Sequence, residues 1–446
     1  MSSSQSYRKI NFSELRLIIQ NHSRFRKSLR GGARANLKLC DLSNLDFSGL
    51  DLGGADFSGA RLCNTRLTGT TLTDALLYCA DLSQTHMLRA DMSRADMRGA
   101  RFCGANMNHA RLVGADLREG RMVNVNSSLK GSEWESVNET SISSESAANA
   151  VGADLSGSKI SRSFMVRADL TGATLCGAEL RSANLSDAIL NGVDLEGADL
   201  RQADMSRSEM MGANLTGAKL EKTILNQAIL LATIVENSQL AMASTQDTKF
   251  IRPFSELGKT LDEMLKQHSL WLKTEGKEGT RFVVSGFDLS HANLSKADLA
   301  GGAFVGSKLS KATLMEACLT MSDFSYSDMR ECDLRASDLR GARLAHANMS
   351  KASLAGANMG PIVIDNLGST NEHITTLVGA RLDGANMAGC NLRKTNFSEA
   401  QLTNINFQNA NLSHANFSRS NLTGTDLSKS DINQANFVNA SGCALS

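Results

Sequence analysis

The sequence predicts an all-β solenoid of square coils, and three observations carry that prediction. Residues 168–206 read ADLTG ATLCG AELRS ANLSD AILNG VDLEG ADLRQ ADMS, with a large apolar residue at every fifth position, as in Leu170, Leu175, Leu180, Leu185, Leu190, Leu195, Leu200 and Met205. A small residue stands two places before the centre almost every time, as in Ala178, Ala183, Ala188, Ala198 and Ala203. The same rule governs most of the 446 residues. A period of five fits neither the 3.6 of a helix nor the 2 of a flat strand, so the repeat is the structural unit. If each unit forms one side of a coil, its centre and its small residue face inward and the other three positions face water. Four units close a coil of about twenty residues, and stacked coils pair backbone to backbone at roughly 4.8 Å. A narrow interior filled by Leu or Phe leaves room beside it only for a methyl, hydroxymethyl or thiol.

Dozens of A(D/N)LXX units make this chain resemble the pentapeptide-repeat family. The resemblance implies a right-handed quadrilateral β-helix. It implies little about activity, because one fold hosts unrelated functions.

In chain order, residues 1–33 form an N-terminal capping helix: Leu15, Ile18, Ile19, His22 and Phe25 recur at helical spacing from a start near Phe12, and Gly31 and Gly32 stop it. A helix laid across the open end covers apolar interior and unpaired strand edges. The first β-helix spans 34–236, beginning at Ala35-Asn36-Leu37; Leu45 and Leu50 fill positions usually held by Ala and mark a swollen first coil for the helix to dock on. Residues 123–152 interrupt it with a Ser-, Glu- and Asn-rich loop, and loops of that length are usually disordered or functional. Within it Trp134, between Glu133 and Glu135, is the candidate partner contact; the plainer reading is a ring folded back on the coil wall. Residues 237–280 hold a linker and a second cap, where Leu261, Met264, Leu265, His268 and Trp271 repeat the spacing of the first. His22, Phe25, His268 and Trp271 are therefore read as structural cap residues, the histidines hydrogen-bonding backbone of the first coil. Such lead-in helices are similar to those preceding the first coil in many bacterial pentapeptide-repeat proteins. The second β-helix spans 281–446 with an interruption at 361–379, and near its end Phe397, Phe417 and Phe437, one coil apart, are expected to stack as an inner column. Only NASGCALS follows, so the tail either folds over the last coil or leaves it to pair with another copy. The resemblance adds weight to the pairing without closing the other outcome, because it implies a dimer through that end in quinolone-resistance members.

Composition narrows the function. Aromatic residues make up 5% of the chain, prolines number 2, and 47 basic against 46 acidic residues give a net charge of +1. That balance argues against direct nucleic-acid binding and against an anionic membrane surface. The nine cysteines lack metal-type spacing and read as reduced slot-fillers, with Cys40, Cys332 and Cys390 inward. No signal-peptide core or run of eighteen apolar residues is present, which makes a bacterial cytoplasmic protein the expectation. Asp41, Asp46, Asp51, Asp56, Asp81, Asp91 and Asp96 suggest a calcium array, but Arg61 and Arg101 share their row, so they read as corner residues bonding local backbone. There is no Walker loop, dinucleotide fingerprint, HExxH or nucleophile elbow, and neither an enzyme nor a cofactor or metal is predicted. The reading is a protein-interaction scaffold with an unknown protein partner. Two alternatives follow from the resemblance: a DNA-mimicking topoisomerase-binding regulator of the quinolone-resistance type, which would need a strongly acidic face, and a secreted bacterial effector.

Overall fold

Each five-residue unit bends by a tight turn. In the first, the Cys40 amide donates to the Leu37 carbonyl at 3.2 Å, and Leu39 between them has φ 56, the signature of a type II turn. The next-coil bonds then run in parallel: Leu37 N–H to Asp56 C=O at 2.7 Å and Asp56 N–H to Ala35 C=O at 2.9 Å. Successive bridges, Asn36 to Asp56, Asp41 to Arg61, Asp46 to Arg66 and Asp51 to Thr71, give every coil four sides and four ladders.

The structure, a computed structural model, describes residues 7–119, 147–366 and 369–442. It forms two units, Met1–Ile229 with Ile234–Thr248, and Leu230–Thr233 with Lys249–Ser446. In the first, strand β1 (Arg8–Lys9) pairs in parallel with β2 (Cys40–Asp41) in the first coil. Helix α1 (Phe12–Arg26) follows β1, capped by the Asn11 side chain, which accepts from Glu14 N–H. Leu15 and Ile19 of α1 face Phe47 and Leu50 across a groove of about 400 Å³. Gly32 lets the chain return under the helix, since a Cβ there would lie 2.3 Å from Phe25 N. A short helix α2 (Asn237–Leu240) near the unit's far end carries Gln239, whose side-chain amide donates to Ala218 C=O at 2.6 Å.

The second unit repeats this order. Strand β3 (Arg252–Pro253) pairs in parallel with β4 (Phe287–Asp288) around helix α3 (Leu261–Lys273). The helix starts with a capping box between Thr260 and Glu263. A hairpin of β5 (Ile362–Asn366) and β6 (Ser369–His373) interrupts the coils.

Three expected boundaries differ. The break at 123–152 lies mostly outside the described residues, but its end is coil: Asn149 already bridges Asn106 and Asp169. The coil likewise resumes after the hairpin at Thr376, which bridges Arg343 and Asn396, before the expected 379. Beyond 236, Ser244 still bridges Ile224 and the Thr248 hydroxyl bonds Leu225 C=O at 2.8 Å, so the first β-helix extends to Thr248. In each case a polar or irregular sequence hides coil that the main-chain ladder still holds.

The interior runs along each unit's axis. Small polar residues in the inward slot bond main-chain carbonyls, some on the neighbouring coil, as Thr70 Oγ1 donates to Phe47 C=O at 2.9 Å and Cys332 Sγ to Leu309 C=O at 2.8 Å, others on their own, as Ser158 and Ser307 donate to Leu155 and Phe304 C=O at 2.6 Å. Phe304 and Phe324 stack with centroids 4.4 Å apart, and the slot before Phe304 is Gly302, where a Cβ would meet the ring at 2.8 Å.

Gly302→Ala, and Ala183→Leu at another buried slot, should each overpack the interior and cost about 1–3 kcal/mol; denaturant titration showing parental midpoints for both would refute the inward assignment.

Candidate functional site

Both cap histidines occupy the same place. His22 Nδ1 accepts from Ala35 N–H at 3.0 Å and His268 Nδ1 from Phe282 N–H at 3.1 Å, in each unit the amide two residues before the first centre. An accepting Nδ1 makes the ring neutral with its proton on Nε2. Both rings are fully buried, and burial lowers both pKa values beneath the ordinary 6.5. Phe25 and Trp271 lie over them, with centroids 5.9 and 5.4 Å away. Phe397, Phe417 and Phe437 stand in a column with both centroid spacings at 5.1 Å. Trp134 lies outside the described residues. The structure therefore buries His22, His268, Phe397 and Phe417 in the frame, leaves Phe25 exposed and Trp271 and Phe437 partly so, and leaves the outward positions to form a candidate surface.

Those positions are shaped by the corner chemistry. The residue before each centre is often Asp or Asn, and its side-chain oxygen accepts the amide two residues on: Asp56 from Ser58 at 2.9 Å, Asp81 from Ser83 at 3.1 Å, Asn348 from Ser350 at 3.1 Å. Among the described residues no group of three or more His, Cys, Asp or Glu is placed to hold a metal ion.

One side of the first unit stands apart. Its ladder runs through Asp96, Asp116, Lys159, Glu179 and Asp199. The residues following the centres on this side are Tyr78, Arg98, Arg118, Ser161, Arg181 and Arg201, and the outward residues one further on include Gly99, Glu119, Arg162, Ser182 and Gln202. Small side chains at Gly99, Ser161 and Ser182 between long ones leave a concavity of about 740 Å³. Three arginines are held on carboxylates of their own unit, Arg98 on Asp96 at 2.6 Å, Arg118 on Asp116 at 2.6 Å and Arg201 on Asp199 at 2.5 Å. The Arg98 and Arg201 guanidinium groups hold the Asp96 and Asp199 carboxyls below their usual range. Tyr78 lies 5.6 Å from the Arg98 guanidinium. Arg162 and Arg181 also line the concavity, and among the described residues neither forms an ion pair. The arrangement can bind an anion and offers no nucleophile and base held together.

Sequence reading missed this surface. Its signal is arginine recurring at one outward position per coil, but the ladder jumps from Asp116 to Lys159 and the twenty-residue count fails there.

The cysteines divide by depth. Cys332 and Cys390 fill inward slots, and burial pushes both thiols up to about 12. Cys40 is buried likewise and Cys79 is exposed.

Comparison with known proteins gives a family match. A sequence model described as pentapeptide repeats matches in eight copies over residues 33–59, 55–94, 80–119, 148–187, 188–227, 288–325 and 327–360, and one described as a pentapeptide repeat region matches 374–437. No curated protein matches the chain. Among solved structures, HetL, a pentapeptide repeat protein involved in heterocyst differentiation regulation from the cyanobacterium Nostoc sp. strain PCC 7120, is similar at 20% identity over 97% of this chain and 94% of its own, with a TM-score of 0.16. QnrB1, a plasmid-mediated fluoroquinolone resistance protein, is similar at 13% identity over 61% of this chain and 87% of its own, TM-score 0.25. A pentapeptide repeat protein from the cyanobacterium Cyanothece 51142 shares 22% identity over 33% of this chain and 89% of its own, TM-score 0.20. At such TM-scores the overlays carry no argument.

Two measurements follow. Burial lowers the folded pKa of both cap histidines, so the unfolded chain binds protons first; their contribution to stability is complete above about pH 6.5 and is lost as pH falls below it. The thermal midpoint should therefore drop between pH 7.5 and 5, and a His22→Gln/His268→Gln variant should start lower with a shallower slope; an unchanged slope would remove the histidines from this account. In thiol labelling of the folded protein, Cys79 should react within minutes and Cys332 and Cys390 only after denaturation, and early modification of either inward cysteine would contradict the slot assignment.

Proposed function

The chain belongs to the pentapeptide-repeat family, and from that premise we propose that it serves as a non-enzymatic scaffold for a protein partner, its frame a right-handed quadrilateral β-helix in two tandem modules. The observation that carries this reading is the division of labour in the repeat. Interior and corner positions are occupied in holding coil on coil, and only two outward positions per unit are free to differ, which suits recognition by a rigid surface better than catalysis. The arginine-lined side of the first unit is the most differentiated part of that surface. Trp134 is proposed as a further partner contact, and the last coil, where Phe437 is only partly buried, as a seat for a second copy.

Regulation of a topoisomerase by DNA mimicry is the weaker reading. A mimic needs a continuous acidic strip, and the column Asp41, Arg61, Asp81, Arg101 alternates in sign while the neighbouring side is rich in arginine. A cytoplasmic location remains the proposal, and a secreted effector its rival; among the described residues no helix is long and apolar enough to cross a membrane.

Affinity capture from native cell extract, using the intact chain and a variant lacking residues 124–146, tests the scaffold. The deletion stops short of Ala148 because Asn149 is already paired. A partner held by the intact chain supports the scaffold, and its loss from the deletion variant assigns contact to the Trp134 segment. Reproducible absence of any partner from the intact chain counts against the scaffold.

A further inference from the structure

We propose that the concavity around Arg162 and Arg181 is a binding site for an acidic peptide segment, lying extended along the axis of the first unit. This rests on the scaffold reading and names the partner's chemistry. Coil order sets the geometry. Bridges from Asp96 to Asp116, Lys159 and Glu179 place Arg98, Arg118, Arg162 and Arg181 on four successive coils. At roughly 4.8 Å per coil these guanidinium groups span about 14 Å, the length of about four extended residues. Alternate side chains of an extended strand point the same way about 6.6–6.8 Å apart, so about three acidic residues at every second position cover the same length as the four arginines.

The charges divide into two kinds. Arg98 and Arg118 are anchored to Asp96 and Asp116 and form a fixed wall, stiffened by Tyr78 against Arg98. Arg162 and Arg181 have no carboxylate partner among the described residues, although Glu179 stands two residues before Arg181 as Asp199 does before Arg201. Instead the Glu179 carboxylate lies close enough to Arg118 to act on it electrostatically. Two forked donors are left for a carboxylate, the geometry guanidinium groups bind best. Ser161, Ser182 and Gln202 on the same lining supply hydrogen-bonding groups for a peptide main chain. The volume of about 740 Å³ falls in the range of small-ligand sites and suits a short segment.

Glu119 and Glu179 on the lining decide between polyanions. A nucleic acid carries a charge at every step and would bring phosphates against both carboxylates. A peptide can set neutral residues opposite them.

Fluorescence anisotropy with a labelled eight-residue peptide of alternating glutamate and serine tests the site at low ionic strength. The full chain should bind it; Arg162→Gln/Arg181→Gln should weaken binding by about tenfold or more, with an unchanged thermal midpoint because both residues are exposed. A control pair on other sides of the coil, Arg66→Gln/Arg111→Gln, should bind within about twofold of the parent. Equal weakening by the two pairs, absence of binding by the parent, or tighter binding of an eight-nucleotide oligothymidine would each overturn the inference. The captured partner separates this from the scaffold itself. If the Arg162→Gln/Arg181→Gln variant still retains the partner from extract, the acidic-peptide site falls and the scaffold stands.

Discussion

Every other feature of this protein depends on the parallel main-chain ladder between coils. Because Leu37 N–H reaches Asp56 C=O and Asp56 N–H returns to Ala35 C=O, each coil must contain the same number of residues as its neighbours. Extra residues can only be put outside. The ladder shows this at both insertions: Asn106 bridges Asn149, 43 residues on, and Asn358 bridges Asn391, 33 residues on, while the coils on either side keep their register. Backbone donors and acceptors left unpaired in a narrow interior would each cost about 1–3 kcal/mol, so the pairing survives where the sequence pattern fails.

The interior enforces a second constraint, on volume. A centre and its slot share one small cross-section, so most slots hold Ala, Ser, Thr, Cys or Gly. Polar slots are tolerated because the hydroxyl or thiol finds a carbonyl, on the adjacent coil for Thr70, Ser322 and Cys332 and three residues back on the same coil for Ser158, Ser208, Ser307 and Ser327. Surface ion pairs contribute far less, about 0–1 kcal/mol each, so the Arg–Asp pairs of the first unit shape its surface more than they stabilise it. That leaves outward residues open to selection for binding. The arginine side is where this freedom has produced a distinct chemistry.

The caps link the two constraints. An end coil exposes amides with no preceding coil to receive them, and His22 and His268 accept one such amide in each unit while burying their rings over the interior. The strands β1 and β3, placed just before the cap helices, pair with a further stretch of the first coil in each unit. The repetition of strand, helix and coil in both units accounts for the matching spacing of the two leading segments.

Much of this was legible in the residues. The five-residue period announced the solenoid, because no helix or flat strand tolerates it, and helical spacing marked both leading segments. The Thr260–Glu263 capping box was equally visible, though it went unread. The two-residue strands were not: Arg8–Lys9 and Arg252–Pro253 carry no alternation long enough to show, and only the neighbouring coil makes them strands. Nor did the pattern reveal coil at Asn149, Thr376 or Ser244, where local composition looks like loop. The sequence by itself determined the period, the inward alphabet and the tandem order, since these are set by spacing along the chain. Tertiary structure alone decided which outward residues become neighbours, because that depends on how many residues each insertion removes from the coil, and so only it brought Arg118, Arg162 and Arg181 to one surface.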